Sequence, residues 1–385
     1  MAIFNLGELF CGPGGGALGA IRSSFIQNGE EWGFEHTWAS DIDSDTCETF
    51  RRNIVSANPD SVICEDVRSL NIPDLAPIDA FAFGFPCNDF SIVGETNGLD
   101  GNFGPLYAYG VEVINHFQPS FFLAENVGGI RGANAGQAFI QILNELQNAG
   151  DNGYSLYPHL YCLSDYGVPQ KRKRVVIVGI NNDEVQNNNI NFQVPAPITA
   201  NNPITAGEAL NGLNRTNLDQ RIVDSISNDL IAPNAANHNF TAHPNHVVER
   251  LQNIPPGHNA WNSNLPPHLA LNVPNVQLSH IYRRLEENEP SYTVTGNGGG
   301  GTHMYHWLEN RALTNRERAR LQTFPDDFDF FGNNGSIRSQ IGMAIPPLGA
   351  QIIFDSILKS FAHIEYDSIE PNLLDWTNNL NPIDA

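Results

Sequence analysis

A cysteine and a glutamate each follow a short apolar run in the first half of the chain. Cys87 ends the sequence FAFGFPC (residues 81–87), and Glu125 follows PSFFLA (residues 119–124). If both runs are strands of a parallel sheet, their carboxyl ends lie at the edge where open α/β proteins bind ligands. A thiol there can serve as a nucleophile, and a carboxyl group can serve as a general acid. An unreactive buried cysteine is the alternative for Cys87, and a helix cap or a surface charge is the alternative for Glu125.

A glycine-rich loop follows the first predicted strand, in the sequence FCGPGGGALG of residues 10–19. Gly14, Gly16 and Gly19 satisfy the pattern G-x-G-x-x-G, and Asp41 ends the next predicted strand, about 20 residues further on. Such a loop lets backbone N–H groups approach a ligand, and the acid can accept hydrogen bonds from ribose hydroxyls. The arrangement is compatible with NAD, FAD or S-adenosylmethionine. A glycine-rich turn with only a packing role is the structural alternative.

The basic block QKRKR occupies residues 170–174, directly before the apolar run VVIV. Alternate side chains of a strand point to one face, so Arg172 and Arg174 are expected on the same side. Guanidinium groups at such a position can bind phosphate or a polarised carbonyl oxygen. A solvated basic run or a patch of the nuclear-import kind is the alternative.

The net charge of −22 argues against a nucleic-acid partner, because DNA binding normally uses the counterions that Lys and Arg release. The basic residues are clustered, however, at 170–174, 283–284 and 311–320, so that one basic face is compatible with the composition. Five cysteines without a CxxC spacing indicate a reducing compartment. No apolar run approaches the ~18 to 20 residues that cross a bilayer. The composition predicts a cytoplasmic protein with no membrane partner.

The alternation of apolar runs and amphipathic stretches through the first 180 residues is typical of βαβ units around a parallel sheet. Strands are expected near residues 3–10, 36–41, 61–65, 79–84, 119–124, 156–163 and 174–180. Helices are expected near residues 17–28, 44–54, 106–117, 136–149, 314–322 and 347–362. Residues 185–280 are rich in Asn, Pro and His and lack apolar periodicity, which predicts short strands and loops. The predicted fold class is α/β, a doubly wound domain with a smaller irregular domain.

The ordered motifs of this chain resemble those of the DNA cytosine-5 methyltransferases. They are ELFCGPGGG, Asp41, the Asp66 turn, the FPC loop, ENV at 125–127, QxRxR at 170–174, RERARLQTFPD at 316–326 and QIGMAIPP at 340–347. They span nearly the whole chain, with a variable region between QxRxR and RExxRLQ. The segments HVVERLQNIPPGHNAW and YRRLEENEPSYTVTGNGGGGTHMYHW are similar to the bacterial Dcm-like, restriction-modification branch.

The resemblance implies a Rossmann-like catalytic and cofactor-binding domain at residues 1–184 and a target recognition domain at 185–285. Residues 286–385 would then return to the catalytic domain. It also implies a reaction in which a cytosine is flipped out of double-stranded DNA and methylated at C5 from S-adenosylmethionine. Cys87 would add to C6, Glu125 would bind or protonate N3, Arg174 would reach O2, and Arg172 would support the loop or a phosphate.

Other residues receive a binding role from the same resemblance. Those expected at the cofactor are Phe10, Gly12, Gly14, Gly16, Asp41, Ile42, Asp66, Val67, Pro86, Met343 and Ala344. Those expected at the DNA are Phe85, Asn88, Ser91, Asn126, Gln170, Thr293 and Thr295. Met343 departs from the family, which usually has Asn at this position, and a thioether cannot replace the hydrogen bonds of an amide.

Histidines crowd the variable region, at positions 238, 243, 246, 258, 268 and 280. No cysteine lies among them and their spacing is irregular, so we predict surface or DNA-contacting groups rather than zinc, and no metal site. The expected protein is a monomer, associated with the nucleoid and compatible with a cognate restriction endonuclease. Other hypotheses are a nicotinamide or flavin oxidoreductase, a weak or non-catalytic DNA-binding relative, and an RNA cytosine-5 methyltransferase. The last lacks support because the Cys-Phe-Thr signature of the tRNA branch is absent.

Overall fold

The structure is a computed structural model that describes residues 2–85, 106–211, 213, 236–271, 280–296 and 300–377. The chain divides into two compact units. Unit 1 comprises Met1–Cys162, Lys173–Pro197 and Pro347–Ala385, and unit 2 comprises Leu163–Arg172 and Ile198–Pro346. Residues 286–346 lie in unit 2 and residues 347–385 in unit 1. The predicted return of residues 286–385 to the catalytic domain stays a prediction. The assignment of residues 185–285 to target recognition stays a prediction.

The regular elements are numbered in chain order. The strands are β1 (Ala2–Leu9), β2 (Phe25–Gln27), β3 (Glu30–Asp41), β4 (Val62–Cys64), β5 (Ala80–Phe83), β6 (Phe121–Val127), β7 (Tyr154–Cys162), β8 (Gln170–Lys171), β9 (Lys173–Asn181), β10 (Val194–Pro195), β11 (Ser291–Tyr292) and β12 (Ser368–Ile369). The helices are α1 (Gly15–Arg22), α2 (Ser44–Asn53), α3 (Tyr107–Phe117), α4 (Gln137–Gln147), α5 (Asn182–Asn187), α6 (Ala206–Leu210), α7 (Asn245–Gln252), α8 (Asn315–Leu321), α9 (Asn334–Met343), α10 (Pro347–Phe361) and α11 (Leu374–Thr377).

The core of unit 1 is a mixed sheet with the strand order β2-β3-β1-β5-β6-β9-β7 and with β4 paired to β3. Parallel pairing joins β4 to β3, β3 to β1, β1 to β5 and β5 to β6. The strand β9 pairs antiparallel with both β6 and β7. All four residues of β5 are buried, as in a strand covered by helices on both faces. The predicted doubly wound α/β class is confirmed.

One predicted helix was wrong over its second half. The helix expected over residues 17–28 ends at Arg22, and residues 25–27 form β2, which pairs antiparallel with β3. Asn28 and Gly29 connect the two strands with φ values of 52° and 83°. An Asn-Gly pair with positive φ at both positions is the two-residue turn that best fits a twisted hairpin. The dipeptide in the sequence was the signal for this turn.

Unit 2 contains short elements around a smaller core, in agreement with the irregular character of its sequence. Its α8 begins with a capping box. The Thr314 side chain accepts from the backbone N–H of Glu317, and the Glu317 side chain accepts from the backbone N–H of Thr314. The additional helix α9 is capped by Asn333, whose side chain accepts from the backbone N–H groups of Gly335 and Ser336. This helix was not predicted, and the Asn cap was its only local signal.

Among the described residues, one stretch, 334–361, has the length and composition of a membrane span. The stretch is divided between α9 and α10, which the structure assigns to different units. The protein buries 67% of its most apolar window. Burial in the interior accounts for this composition.

Candidate active site

The carboxyl ends of β5 and β6 lie side by side, because Phe83 pairs with Ala124 in the parallel ladder. Beyond this pair, the buried Asn126 side chain donates from Nδ2 to the carbonyl oxygen of Phe85 at 3.2 Å. Its Oδ1 atom accepts from the backbone N–H of Val127 at 2.8 Å. Asn126 therefore fastens the segment that leaves β5 to the end of β6.

Four predicted site residues follow Phe85 in the chain. Pro86, Cys87, Asn88 and Ser91 lie outside the described residues, so the nucleophile stays a prediction. Phe85, which was expected at the DNA, is 3% exposed and packs against the rings of Phe83 and Tyr107. Phe85 and Asn126 therefore have internal partners at the end of this described segment, and their expected DNA contacts stay predictions.

Glu125 and Arg174 form an ion pair at this edge of the sheet. The Arg174 Nε atom lies 2.8 Å from Glu125 Oε1, and the two side chains are only 14% and 13% exposed. In the antiparallel register Glu125 lies opposite Val176, so Arg174 is its diagonal neighbour on the same face. A Cβ added at Gly84 would lie 3.4 Å from Glu125 Oε2. The carboxylate thus lies between Arg174 and the backbone of Gly84.

This arrangement can bind a planar ring that carries both a donor and an acceptor on one edge. The Glu125 carboxylate accepts hydrogen bonds, and the planar Arg174 guanidinium presents several N–H donors. Both groups are largely removed from water, which strengthens their electrostatic interaction with a ligand.

The glycine loop between β1 and α1 is tied to the end of β3. Cys11 donates its backbone N–H to Ser40 O at 3.1 Å, and Gly12 donates to Asp41 Oδ2 at 3.0 Å. Phe10, Gly12 and Gly14 have φ values of 53°, 57° and 98°. The loop therefore depends on left-handed conformations, which glycine adopts most readily.

The loop glycines differ in their surroundings. A Cβ at Gly14 would lie 2.7 Å from Ile54 Cγ1, whereas a Cβ at Gly12 would have no heavy atom within 4 Å. Gly14 is required for packing, and the space beside Gly12 is available to a ligand. Gly16 lies half-buried in the first turn of α1.

Asp41 is mostly engaged with its own backbone surroundings. Its Oδ1 accepts from the N–H of Asp43 at 3.0 Å, in addition to the bond from Gly12. Burial raises the pKa of Asp41, and the hydrogen bonds from Asp43 and Gly12 oppose that rise. The adjacent Ile42 is 66% exposed, so an apolar surface stands beside the acid.

The second predicted acid, Asp66, is held by Arg68. Arg68 donates from Nε to Asp66 Oδ1 at 2.9 Å and from Nη2 to Oδ2 at 2.5 Å. The hydrogen bonds from Arg68 lower the pKa of Asp66 to about 2. The following Val67 is 7% exposed and belongs to the apolar core. A ligand at Asp66 would have to share this carboxylate with Arg68.

These residues fit a ligand with a nucleoside group. The open space at Gly12, the carboxylate of Asp41 and the exposed Ile42 side chain provide a backbone surface, an acceptor and an apolar contact. Ribose hydroxyls and an aromatic base use those kinds of contact.

In unit 2, Arg172 is buried and bound to backbone carbonyl groups. Its Nη1 donates to Val294 O at 3.0 Å, and its Nη2 donates to Gly342 O at 3.1 Å and Ala344 O at 3.0 Å. Arg172 therefore joins two segments of unit 2. The predicted support of a loop or a phosphate stays a prediction.

Gln170 belongs to the same buried network. It donates from Nε2 to Gln322 Oε1 at 2.9 Å and accepts from Val294 N at 2.7 Å. Gln322 in turn donates to Ile341 O at 2.6 Å. We did not predict a role for Gln322, although the RExxRLQ motif contained it. These contacts give Gln170 an internal partner, while its expected DNA contact remains a prediction.

Met343 and the two threonines lie around this network. A Cβ at Gly342 would lie 1.9 Å from Gly296 N, so α9 approaches the backbone next to Thr295 very closely. Met343 is 60% exposed and Ala344 is 5% exposed. Thr295 is exposed, and Thr293 donates from Oγ1 to Lys171 O at 3.0 Å. Exposure leaves Met343 and Thr295 accessible to other molecules.

Sequence reasoning missed a buried titratable pair beside the glycine loop. Glu8 on β1 and His36 on β3 are both buried, with His36 Nε2 and Glu8 Oε2 3.9 Å apart. Burial raises the pKa of Glu8 to about 8 and lowers the pKa of His36 to about 4. Both groups are therefore largely neutral near pH 6. Glu8, the acidic residue of the motif ELFCGPGGG, was the sequence feature that could have indicated this pair.

The histidines of unit 2 have separate partners. His238 Nδ1 lies 2.7 Å from Thr314 Oγ1, His243 Nε2 accepts from Ala312 N at 3.0 Å, and His268 Nε2 lies 2.9 Å from Glu249 Oε1. Within the described ranges, no group of three or more His, Cys, Asp or Glu side chains could hold a metal ion.

Comparisons with known proteins agree over most of the chain. The model of the C-5 cytosine-specific DNA methylase family matches residues 4–359. The Type II methyltransferase M.BbvI of Brevibacillus brevis is 54% identical over 372 residues, which cover 95% of this chain and 94% of that protein. The Type II methyltransferase M.NgoFVII of Neisseria gonorrhoeae is 37% identical over 372 residues, which cover 94% and 88%.

A solved structure shows the same similarity in three dimensions. It is the crystal structure of a prophage protein of E. coli described as a DNA modification methyltransferase. It aligns with a TM-score of 0.65 and 25% sequence identity, covering 91% of this chain and 97% of that one.

Proposed function

This chain belongs to the C-5 cytosine-specific DNA methylase family and is a bacterial DNA cytosine-5-methyltransferase of the restriction-modification type, and from that premise we propose its mechanism. It methylates C5 of a flipped-out cytosine in a short specific DNA sequence, through a covalent bond between Cys87 and C6. The observation that carries the proposal is the Glu125–Arg174 pair beside Gly84. The chain runs from this point directly to Cys87.

The chemistry requires that C5 become nucleophilic. The Cys87 thiolate adds to C6, forming a C–S bond and moving the C5–C6 π electrons so that C5 can attack a methyl group. Glu125 binds N3 or, in its protonated form, donates a proton to N3 that returns to Glu125 when the C–S bond breaks, and Arg174 donates to O2, so that the charge developing on the ring is stabilised. After methylation a base removes the C5 proton, the C–S bond breaks, and 5-methylcytosine and the thiolate are released.

The ring would interact with a pair that is already formed. In the free protein the Arg174 Nε is directed at Glu125 Oε1, and Arg174 also donates from Nη1 to Lys173 O at 2.8 Å. A cytosine edge brings an acceptor at O2 for Arg174 and a site at N3 for Glu125. The pair orients both side chains before the base arrives, which reduces the cost of ordering them.

S-adenosylmethionine is the proposed methyl donor, and when bound it supplies an electrophilic methyl group. Gly12 and Asp41 would bind its ribose region, and Phe10, Ile42 and Val67 would contact its adenine. Gly14 and Gly16 would hold the loop and the start of α1, and Asp66 would contact the base while paired with Arg68. The predicted contributions of Pro86, Met343 and Ala344 stay part of this proposal.

Double-stranded DNA is the proposed substrate, because C6 becomes accessible only when the base leaves the stack. Thr293 and Thr295, with Asn88 and Ser91, are the proposed DNA contacts, and residues 185–285 are proposed to read the sequence. We further propose that the protein acts as a monomer in the cytoplasm, associated with the nucleoid, beside a cognate restriction endonuclease.

Transfer of labelled methyl groups to unmethylated genomic DNA tests this function. The wild type is expected to form 5-methylcytosine, and Cys87→Ser is expected to form none. DNA containing 5-fluorocytosine should trap a covalent adduct with the wild type, because the C5 proton cannot be removed. Failure of folded wild-type protein to label DNA would contradict the proposal. Labelling of RNA instead would support the RNA-methylating alternative, and binding without an adduct would support the non-catalytic one.

A further inference from the structure

Two cysteines of unit 1 lie together at one end of the parallel part of the sheet. Cys47 is on α2, and Cys64 is the last residue of β4. The Cys47 side chain is fully buried, whereas Cys64 is exposed. Neither thiol takes part in the proposed reaction, so their proximity calls for a separate explanation.

The pairing of β3 with β4 places both thiols on one face of the sheet. In this parallel ladder Val62 lies opposite Ala39, and Cys64 lies opposite Asp41. Cys47 packs in one apolar cluster with Ala39 and Val62. Because successive side chains of a strand alternate between faces, Cys64 shares the face of Val62, which is the face that α2 covers.

The contacts of the Cys47 thiol bring it to Cys64. Cys47 donates from Sγ to the carbonyl oxygen of Asp41 at 3.4 Å. Asp41 and Cys64 are direct partners on neighbouring strands, whose backbones are about 4.8 Å apart. Burial raises the pKa of the Cys47 thiol, and a side-chain hydrogen bond with Cys64 adds to this effect. The two thiols are therefore neighbours, as the cysteines of a disulfide must be.

The two thiols differ in their access to reagents. Cys64 is exposed and can meet an oxidant from solution, whereas Cys47 is covered by its apolar neighbours. Redox-sensing cysteines are often solvent-accessible and adjacent to a second cysteine that resolves the first oxidation product. In a reducing compartment, a disulfide of this kind is normally transient and regulatory.

The pair borders the proposed cofactor site. Asp41, whose backbone accepts from the Cys47 thiol, also accepts through its side chain from Gly12 N at 3.0 Å. Asp66, another proposed cofactor contact, lies two residues after Cys64. A disulfide would remove the S–H donor to Asp41 O and would tie the end of β4 to α2. The backbone that presents Asp41 and Asp66 would therefore change on oxidation.

We propose that Cys47 and Cys64 form an oxidation site, which hydroperoxides convert to a disulfide that weakens the binding of S-adenosylmethionine. The effect on the cofactor rests on the proposed function, whereas the cross-link itself does not.

The oxidation proceeds in two steps. The Cys64 thiol reacts with hydrogen peroxide to give a sulfenic acid and water, so the sulfur loses two electrons and the peroxide gains them. The Cys47 sulfur then attacks the Cys64 sulfur, an S–S bond forms, and the displaced hydroxide leaves as water with the Cys47 proton. A dithiol reductant restores both thiols and is itself oxidised to a disulfide. Because a thiol must lose its proton to attack, the raised pKa of Cys47 makes the second step the slower one.

Peptide mapping by mass spectrometry without reduction tests the cross-link. The full-length Cys87→Ser variant is treated with hydrogen peroxide, so that oxidation of the proposed nucleophile cannot affect the result. We expect a peptide pair that joins Cys47 to Cys64 and that disappears with dithiothreitol. Calorimetry on the same samples should show the Kd for S-adenosylmethionine rising about 3- to 10-fold on oxidation and recovering on reduction.

Two further variants in the same background separate this pair from other oxidised groups. Cys64→Ser replaces an exposed thiol and should fold normally, form no cross-link and keep its cofactor affinity after peroxide. Cys162→Ser is the matched control, since Cys162 ends β7, a strand that does not pair with β3 or β4. It should retain both the cross-link and the loss of affinity.

Three results would overturn the proposal. The first is oxidation of Cys64 to a sulfinic acid, or its linkage to Cys11 or to a second chain, without a bond to Cys47. The second is a complete cross-link with an unchanged Kd, which would remove the link to the cofactor. The third is an equal loss of affinity in Cys64→Ser, which would assign the effect to another group. Methyl transfer by the reduced wild type is measured in parallel, so failure of the proposed function is recognised separately.

Discussion

The Arg172 guanidinium donates a 3.0 Å hydrogen bond to the carbonyl oxygen of Ala344, across 172 residues of chain. Further bonds from the same group reach Val294 O and Gly342 O. The basic motif at residues 170–174 is therefore joined inside unit 2 to the last motif of the chain. These bonds indicate a structural role for Arg172 inside unit 2, while its predicted part in catalysis stays a prediction.

Replacing Arg172 with Ala should destabilise unit 2. Three buried carbonyl groups lose their donor, so we expect a loss of about 3 to 5 kcal/mol in the free energy of unfolding. Urea denaturation followed by far-UV circular dichroism measures it. Arg172→Lys keeps the charge but cannot form the same fork of bonds, and should recover only part of the loss. An unchanged unfolding midpoint in Arg172→Ala would contradict this structural role.

Replacing Glu125 with Gln should reduce methyl transfer by about 10²- to 10⁴-fold, because the amide neither donates a proton nor carries the charge that orients Arg174. Single-turnover transfer with saturating DNA measures the chemical step. Glu112→Gln is the control, since Glu112 is exposed on α3. A rate for Glu125→Gln within twofold of the control would exclude an acid or positioning role for Glu125.

The buried pair Glu8 and His36 should give folding stability a plateau between pH 4.5 and 6.5, where their opposite pH dependences cancel, with a decline on either side. The folded pKa of Glu8 is raised to about 8, so its contribution is present below the unfolded pKa of 4.5 and is lost as pH rises toward 8. The folded pKa of His36 is lowered to about 4, so its contribution is present above 6.5 and is lost as pH falls toward 4.

Thermal midpoints between pH 4 and 9 test this prediction. Glu8→Gln should flatten the decline on the alkaline side, and His36→Gln should flatten the decline on the acid side. Each variant should also reveal the slope of the other group between pH 4.5 and 6.5, where the two slopes cancel in the wild type. A wild-type profile that stays flat from pH 5 to 8, or variants that shift the whole curve without changing its shape, would show that neither group titrates as stated.

Replacing Gly12 with Ala should weaken cofactor binding more than folding. The added Cβ has no heavy atom within 4 Å, so the folding cost is the strain of a φ of 57°, about 1 kcal/mol. The Cβ would occupy the space proposed for S-adenosylmethionine, and calorimetry should show its Kd rising at least about 10-fold. Gly14→Ala is the contrasting variant, because its Cβ would lie 2.7 Å from Ile54 and should destabilise the fold. Equal cofactor affinity in the wild type and Gly12→Ala would place the ligand elsewhere.

Several features could be predicted from local sequence. The buried strand AFAF of β5 and the run that becomes β6 were recognisable because apolar residues bounded by turn residues form interior strands. The two strands pair in parallel and Glu125 lies beside Gly84, as their sequences indicated, while the position of Cys87 stays a prediction. The motif order also predicted the family, since each motif is a short contiguous pattern.

Other features depended on contacts that no local pattern specifies. The β2–β3 hairpin, with its turn at Asn28 and Gly29, occupies the second half of the predicted helix. Gly342 packs so closely against the backbone of Gly296 that no side chain fits at position 342. Arg172 and Arg174 share one basic block, yet Arg172 is buried among carbonyl groups while Arg174 is paired with an acid. A basic block has no local property that separates these two environments.

Local sequence was sufficient to predict the residue types at the strand ends and hence the class of chemistry, because turns and apolar periodicity are encoded over a few neighbouring residues. The contact between Arg174 and Glu125 depends on long-range packing, because β9 enters the sheet antiparallel to β6 and its register places the two side chains on one face. The tertiary structure also buries Arg318 with no hydrogen-bond partner for its Nε and Nη2 among the described residues, because burial and pairing depend on segments far apart in the chain. Strand neighbours and buried charges are settled by global packing, where long-range contacts compete for the same space.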